Sequence, residues 1–130
     1  MTFFAFLATG CGAFLGACLR YLFGLWFNPV FPTIPLGTLA ANLLGGLIMG
    51  LVLGAFGQFQ ALSPEVRLFV TTGFLGGLTT FSTFSGETVT LLLREEYAWA
   101  LGAIGLHLVG SLGMTLLGFA AAQALLRTPA

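Results

Sequence analysis

The sequence predicts an all-α integral membrane protein, and three observations support this prediction. Charged residues make up 6% of the 130 residues, against about 25% in ordinary soluble domains, and hydrophobic residues make up 58%. Uncharged runs cover residues 1–19, 21–64, 68–86 and 97–126. The four basic residues are all arginine and the formal net charge is zero, so no basic surface is available for phosphates. This composition excludes a cytosolic enzyme, a nucleic-acid-binding protein and a disordered chain.

The sequence divides into four predicted membrane-spanning helices. These helices cover residues 3–27, 36–59, 66–93 and 97–126, and each reaches the roughly 20 residues that a bilayer crossing requires. A Pro-rich link, a polar turn and an Arg-Glu-Glu turn separate them. We therefore expect a single four-span domain over residues 1–130, with the N-terminal run kept in the mature protein rather than removed as a signal peptide.

Glycines are spaced to let these helices pack closely. Glycines four residues apart occur in the first three spans: Gly12 with Gly16, Gly46 with Gly50 and Gly54, and Gly73 with Gly77. Small residues at this spacing allow two backbones to approach each other, which drives association where no hydrophobic effect operates. Four helices of this size enclose little interior space, so we also expect a homo-oligomer.

The arginines favour neither orientation in the membrane. With four spans, one side of the membrane collects Arg67 and Arg127, and the other side collects Arg20 and Arg94. Orientation normally follows an excess of Lys and Arg on the cytoplasmic side, and a count of two against two provides no excess. Copies inserted in opposite directions can pair about a two-fold axis in the membrane plane, which supplies the inverted symmetry that many transporters encode as internal repeats.

The middle of the third span is poorly suited to a continuous helix. Glycine, serine and threonine crowd residues 71–90, and glycine costs a helix about 1 kcal/mol per position relative to alanine. We predict that the helix breaks near position 80, at the membrane midplane. Broken helices at this depth commonly present carbonyl groups to a cation. In the alternative, the helix is intact and its hydroxyls bond back to their own carbonyls.

Two aromatic residues follow the predicted break on one helix face. Phe81 and Phe84 are three residues apart. An aromatic ring has a positive edge and a negative face, so an edge-on pair can meet an anion and a face-on pair can meet a cation. Ordinary packing in the core is the competing interpretation.

Polar side chains mark the second and fourth spans. Thr38 and Asn42 lie four residues apart in the second span, and His107, Ser111 and Thr115 repeat this spacing in the fourth. Such residues can line a pathway or can join helices through hydrogen bonds, and both interpretations stay open. We expect His107 to be a hydrogen-bonded structural residue, because no acid lies one turn away.

Glu87 is the only acid within a span. A structural pairing with an arginine is favoured over a coupling site, and Arg20 is either that partner or a cap on helix carbonyls. The amide and hydroxyl donors suit a small anion, and there is no acidic ring of the kind that cation channels use. Hydroxyls also accept hydrogen bonds, so the sign of the ion stays open. The residues provide no nucleophile–base pair or metal cluster that would indicate an enzyme.

Four motifs resemble the Fluc/CrcB family of bacterial fluoride channels. The highly specific one is GGLTTFSTFS at residues 76–85, and GTLAANLLG at residues 37–45 looks like the second-helix motif. GACLRY at residues 16–21 looks like the first-helix arginine motif, and Gly110-Ser111 through Thr115 is similar to the fourth-helix pattern. The resemblance covers essentially the whole chain, in order.

The resemblance implies four transmembrane helices, a third helix broken at the midplane, and an antiparallel dual-topology homodimer with two fluoride pathways. It implies a structural sodium ion at the dimer centre, held by the backbone carbonyls of Gly76 and Thr79 from both copies. Glycine at position 76 would allow a turn that a β-branched residue resists. A structural role falls to Arg20. The pathway residues are Thr38, Asn42, Phe81, Ser82, Thr83, Phe84, Glu87, Ser111 and Thr115.

The implied function is passive export of toxic fluoride across the bacterial inner membrane. The implied partners are fluoride, membrane lipid and a second copy of the chain, with no nucleic acid and no other protein. The alternative is a proton-coupled exporter of the small multidrug type. Such an exporter would need a membrane-embedded acid in the first span, and residues 3–27 contain none.

The balanced arginines predict that the protein inserts in both directions. A reporter fused to the C-terminus should be found on both sides of the membrane. Two lysines added beside Arg67 should force one orientation, because they create the missing charge excess. That variant should be inactive alone and active when it is co-expressed with an oppositely biased partner. A reporter detected on one side only would contradict dual insertion.

Overall fold

The structure, a computed structural model, describes residues 2–127, and these residues form helices joined by short links, with no strand among them. The elements are α1 (Phe3–Phe27), a 3-10 turn (Asn28–Val30), α2 (Leu36–Gly54), α3 (Phe56–Gln60), α4 (Pro64–Leu68), a π-helical segment (Phe69–Leu75), α5 (Gly76–Leu78), α6 (Phe81–Leu93) and α7 (Tyr97–Leu126). The all-helical prediction is confirmed. The bounds of α1 and α7 match those of the predicted first and fourth spans.

Three helical stretches in the described part of the chain are long and apolar enough to cross a membrane: Phe3–Val30, Leu36–Gly54 and Tyr97–Leu126. The second stretch is shorter than predicted, because α2 ends at Gly54 and the short α3 follows Ala55. A side chain from α7 explains this end, since Gln123 Nε2 donates to the Gly54 carbonyl oxygen at 2.8 Å. Carbonyls at a helix end need such a partner.

Close backbone approaches at glycine hold two pairs of elements together. α1 packs against the π-helical segment and α5, and a Cβ atom at Gly12 would lie 2.8 Å from the Phe74 nitrogen. α2 packs along α7, and a Cβ atom at Gly46 would lie 2.8 Å from the Ser111 carbonyl oxygen. Both distances are too short for a real side chain, so the close packing predicted from the glycine spacing is confirmed at these positions.

The predicted helix break near position 80 is present, and a continuous helix through this position is excluded. Helical structure runs from Pro64 to Leu78, and the backbone is then extended at Thr79 (φ −84°, ψ 155°) and Thr80 (φ −150°, ψ 118°). Thr80 caps α6, because its Oγ1 accepts from the Thr83 N–H group at 3.0 Å. Two β-branched residues thus form the break, in keeping with their preference for extended backbone.

The expectation that Gly76 allows an unusual turn is wrong. Gly76 has ordinary right-handed helical angles, with φ −64° and ψ −37°. A Cβ atom there would meet only the Thr71 carbonyl oxygen, at 3.8 Å, among the described residues. The chain therefore has room for a side chain at position 76, and nothing within one described copy requires glycine.

A strained turn joins α6 to α7. The Glu95 N–H group donates to the Leu92 carbonyl at 3.0 Å, and the Glu96 N–H group donates to the Leu91 carbonyl at 2.9 Å. This pattern is a Schellman motif, in which the residue in the left-handed region is usually glycine. Here that residue is Glu95, with φ 60°. Left-handed backbone costs an L-residue roughly 1–2 kcal/mol.

Replacing Glu95 by glycine should therefore stabilise the protein. We expect Glu95→Gly to raise the free energy of unfolding by about 1 kcal/mol, because glycine adopts this backbone region without the steric cost. Thermal or denaturant unfolding in detergent measures the change. Glu96→Gly is the matched control: Glu96 has φ −91°, so this variant should give no gain. An equal gain from both variants would contradict the strain at Glu95.

Candidate functional site

The Asn42 side chain holds the break between Leu78 and Phe81. Its Oδ1 accepts from the Thr80 N–H group at 2.8 Å, and its Nδ2 donates to the Thr80 carbonyl oxygen at 3.1 Å. These bonds replace the helical partners that extended backbone loses. Nδ2 also lies 3.0 Å from Nδ1 of His107. One amide from α2 thus contacts both the break and α7, and the expected hydrogen-bonded state of His107 is confirmed.

The break leaves two carbonyl groups without the N–H donors that a continuous helix would provide. In a continuous helix, the Thr80 N–H group would bond to the Gly76 carbonyl and the Thr83 N–H group would bond to the Thr79 carbonyl. Here the first group donates to Asn42 Oδ1 and the second donates to Thr80 Oγ1. Among residues 2–127, no backbone N–H group outside the helices donates to the carbonyl oxygens of Gly76 and Thr79. Their lone pairs are available to a ligand.

An open cleft of about 510 Å³ lies between α2, the break and α7. Predicted site residues form much of its lining: Asn42, Gly76, Thr79, Phe81, Phe84, Ser111 and Thr115. His107, Thr80, Thr71 and Met49 also line it. No lining residue among these is acidic, so the cleft offers amide, hydroxyl, imidazole and aromatic groups to a ligand.

The two predicted phenylalanines meet edge to face beside the break. The centroids of the Phe81 and Phe84 rings are 5.6 Å apart, and the ring planes cross at 66°. The Phe84 ring also stacks against His107, at 4.6 Å between centroids and 35° between planes. In contrast, Phe81 is 79% exposed. Packing within one copy therefore accounts for Phe84 and does not account for Phe81.

Thr38 and Glu87 lie together but are not part of the cleft lining. Thr38 Oγ1 donates to Glu87 Oε2 at 2.6 Å. The favoured pairing of Glu87 with an arginine is wrong for Arg20, which instead donates from Nε to the Gly77 carbonyl at 3.1 Å. Of the two roles left open for Arg20, the structure shows the cap on carbonyls, where a cation stabilises the negative end of a helix.

The polar residues of α7 fit both interpretations of their spacing. Thr115 Oγ1 shares its proton between the carbonyls of Gly46 and Ser111, each at 3.0 Å, and so links α7 to α2. Ser111 and Thr115 also line the cleft. Ser82 and Thr83 lie outside the lining, on an exposed face, where the Thr80 hydroxyl donates to Thr83 Oγ1 at 3.0 Å.

Two important residues of this region were not predicted from the sequence. Thr80 provides both backbone groups that Asn42 binds, and the hydroxyl cap of α6. Asn28 caps α2, because its Oδ1 accepts from the N–H groups of Gly37 at 2.7 Å and Thr38 at 3.3 Å. The Asn-Pro dipeptide indicates a turn, but Asn28 lies nine residues before Gly37, beyond the spacing of a local capping motif.

Known proteins resemble this chain along nearly its whole length. The family model described as "CrcB-like protein, Camphor Resistance (CrcB)" matches residues 7–119. A protein of Nitrosospira multiformis is 61% identical over 118 residues, which are 91% of this chain and 92% of the relative. A protein of Tolumonas auensis is 55% identical over 125 residues, or 96% of this chain and 98% of the relative. Both relatives carry the name "Fluoride-specific ion channel FluC".

Proposed function

Because the chain belongs to the CrcB family, we propose that it is a fluoride-selective ion channel through which fluoride leaves the bacterial cell passively. One structural observation carries the proposal. At the helix break, an edge-to-face phenylalanine pair and hydroxyl groups line a cleft whose described lining contains no acid. A channel needs no coupled reaction, and the protein is accordingly a membrane channel rather than an enzyme.

The lining chemistry is suited to an anion that has lost its water. Hydroxyl donors and positive ring edges can replace the donors of the hydration shell. Ser111 offers a hydroxyl, and Phe81 and Phe84 offer ring edges. Both Nδ2 hydrogens of Asn42 are already engaged with Thr80 and His107. Asn42 therefore serves the pathway mainly by holding the break in place, and Thr38 and Glu87 form a separate hydrogen-bonded pair beside it.

We infer four membrane crossings, with the broken segment from Pro64 to Leu93 as the third. That segment has few charges and helical structure on both sides of Thr79 and Thr80. Backbone groups at membrane depth need partners inside the protein, and Asn42 supplies them at Thr80. This arrangement agrees with a multi-pass protein of the bacterial inner membrane.

We further propose an antiparallel dual-topology homodimer. The balanced arginines support it, since they favour neither insertion direction. The exposed Phe81 ring and the open space at Gly76 support it as well, because neither is explained by packing within one described copy. A second copy against this face would cover the ring and approach the Gly76 backbone closely.

A structural sodium ion fits the oxygen atoms at this face. The carbonyls of Gly76 and Thr79 have lost their helical donors, and unwound backbone carbonyls are common sodium ligands in membrane transporters. Two copies would provide four neutral oxygens, which suit a hard cation rather than a soft metal. The described residues contain no cluster of His, Cys, Asp and Glu that could hold a metal ion. The bound ion would supply positive charge between the two anion paths.

Fluoride efflux from liposomes that contain only this protein tests the proposed function. We expect fast efflux with a strong preference for fluoride over chloride, without a proton gradient. Phe81→Ile and Phe84→Ile keep apolar bulk and remove the ring edges, so each should lower efflux at least tenfold while the dimer persists. Efflux that requires a proton gradient would favour an exporter, and normal efflux from both variants would assign the rings to packing alone.

The sodium proposal predicts different effects at its two ligand positions. Thr79→Ala keeps the main-chain carbonyl, so sodium binding and efflux should be nearly unchanged. Gly76→Val should be tolerated within one copy but should lower sodium binding, because the side chain would fill the space beside the carbonyl. Gly113→Val is the control, since Gly113 is helical with open space around it. Replacing sodium by a large organic cation should reduce efflux without changing which anion passes.

These outcomes separate a sodium ion from simple glycine packing. Isothermal titration or sodium-dependent thermal stability in detergent measures binding directly. If sodium has no effect on stability or efflux, the carbonyls of Gly76 and Thr79 do not hold an ion. Loss of sodium binding in Thr79→Ala as well would move the ligand from the main chain to the side-chain hydroxyl.

A further inference from the structure

We propose that His107 donates its Nε2–H group to fluoride in the cleft, and that Asn42 selects the tautomer that makes this donor available. The proposal rests on the proposed fluoride conduction and adds a binding residue to it. His107 is 5% exposed and lines the cleft together with Phe84 and Ser111. It is therefore a nearly buried polar side chain that borders the anion pathway.

The orientation of the Asn42 amide follows from its two bonds to Thr80. Oδ1 faces an N–H group at 2.8 Å, and Nδ2 faces a carbonyl oxygen at 3.1 Å. Exchanging the two amide atoms would place a donor against a donor and an acceptor against an acceptor. The bonding network thus assigns the amide orientation without ambiguity.

The amide orientation in turn assigns the proton on His107. Nδ2 of Asn42 lies 3.0 Å from Nδ1 of His107, and Nδ2 can only donate. Nδ1 must therefore accept, which places the proton of the neutral imidazole on Nε2. Asn42 thus connects the extended backbone at Thr80 to the His107 side chain on α7, and it determines which ring nitrogen of His107 carries the proton.

The Nε2–H group has no hydrogen-bond partner among the described residues. Thr88 Oγ1 is the one fully buried side-chain nitrogen or oxygen without a partner in residues 2–127, so Nε2 of His107 is not sealed inside the protein. Because His107 borders the cleft, the proposal places this donor on the cleft side of the ring. The Asn42 donors are engaged elsewhere, which makes the imidazole a principal nitrogen donor available to an anion there.

The neighbours of His107 suit a dehydrated anion. The Phe84 ring packs against the imidazole at 4.6 Å between centroids, and it limits the positions that the imidazole can adopt. Hydrogen bonds to an ionised acceptor are shorter and about twice as strong as neutral ones, and a water-poor site strengthens them further. A single neutral N–H group can therefore contribute substantially to anion binding without introducing a fixed charge that would trap the ion.

Nitrogen NMR provides a direct test, because the chain contains one histidine. Protein labelled with ¹⁵N-histidine should show a protonated Nε2 and an unprotonated Nδ1. Adding fluoride should shift the Nε2 resonance, and adding chloride at the same concentration should not. In Asn42→Ala the preference for this tautomer should weaken. A proton on Nδ1 in the wild type, or an Nε2 resonance that fluoride leaves unchanged, would overturn the proposal.

Efflux measurements add a functional readout with a matched pair of variants. His107→Phe keeps a ring for Phe84 and removes both nitrogens, and we expect fluoride efflux to fall about tenfold to a hundredfold. His107→Gln keeps an acceptor for Asn42 and an N–H donor, and it should retain clearly more efflux. Equal losses in both variants, or none in His107→Phe, would contradict the donor role. Absence of fluoride efflux in the wild type would instead overturn the proposed function itself.

Discussion

The pair of hydrogen bonds between Asn42 and Thr80 is the interaction on which the rest of the site depends. In the absence of water, an unsatisfied backbone group costs several kcal/mol, and a helix break exposes such groups. Asn42 satisfies the N–H and the C=O of Thr80 at once. The break can therefore persist inside an apolar protein, and the carbonyls of Gly76 and Thr79 lose their helical donors as a direct result.

This interaction requires that α2 stay at a fixed distance from the break, and glycine packing provides that distance. Gly46 and Gly50 bring α2 into backbone contact with α7, and Gly12 and Gly16 bring α1 against the segment before the break. Thr115 and Gln123 add hydrogen bonds from α7 to carbonyls of α2. The polar side chains of the cleft are thus carried by helices that have little freedom to separate.

Features with a local cause were predictable from the sequence, and features set by distant contacts were not. The ends of α1 and α7 follow from apolar runs and turns, and the break at Thr79 and Thr80 follows from local composition. The end of α2 depends on Gln123, which is 69 residues away. The partner of Glu87 depends on how α2 and α6 pack, and a list of charges alone pointed to an arginine instead of Thr38. The same holds for the cap from Asn28.

The number of residues in the π-helical segment Phe69–Leu75 determines how the residues after it are oriented in the site. Each residue of an α-helix turns the chain by about 100°, and a π-helical turn accommodates an additional residue without shifting the helix axis greatly. Gly73 within this segment and Gly77 after it both face α1. Removing one residue between Gly73 and Gly77 would rotate Gly77 away from α1 and turn Thr80 away from Asn42. Insertions and deletions should thus be tolerated in the links between helices. Within this stretch they should not be tolerated, because they would change the direction in which the residues after them face.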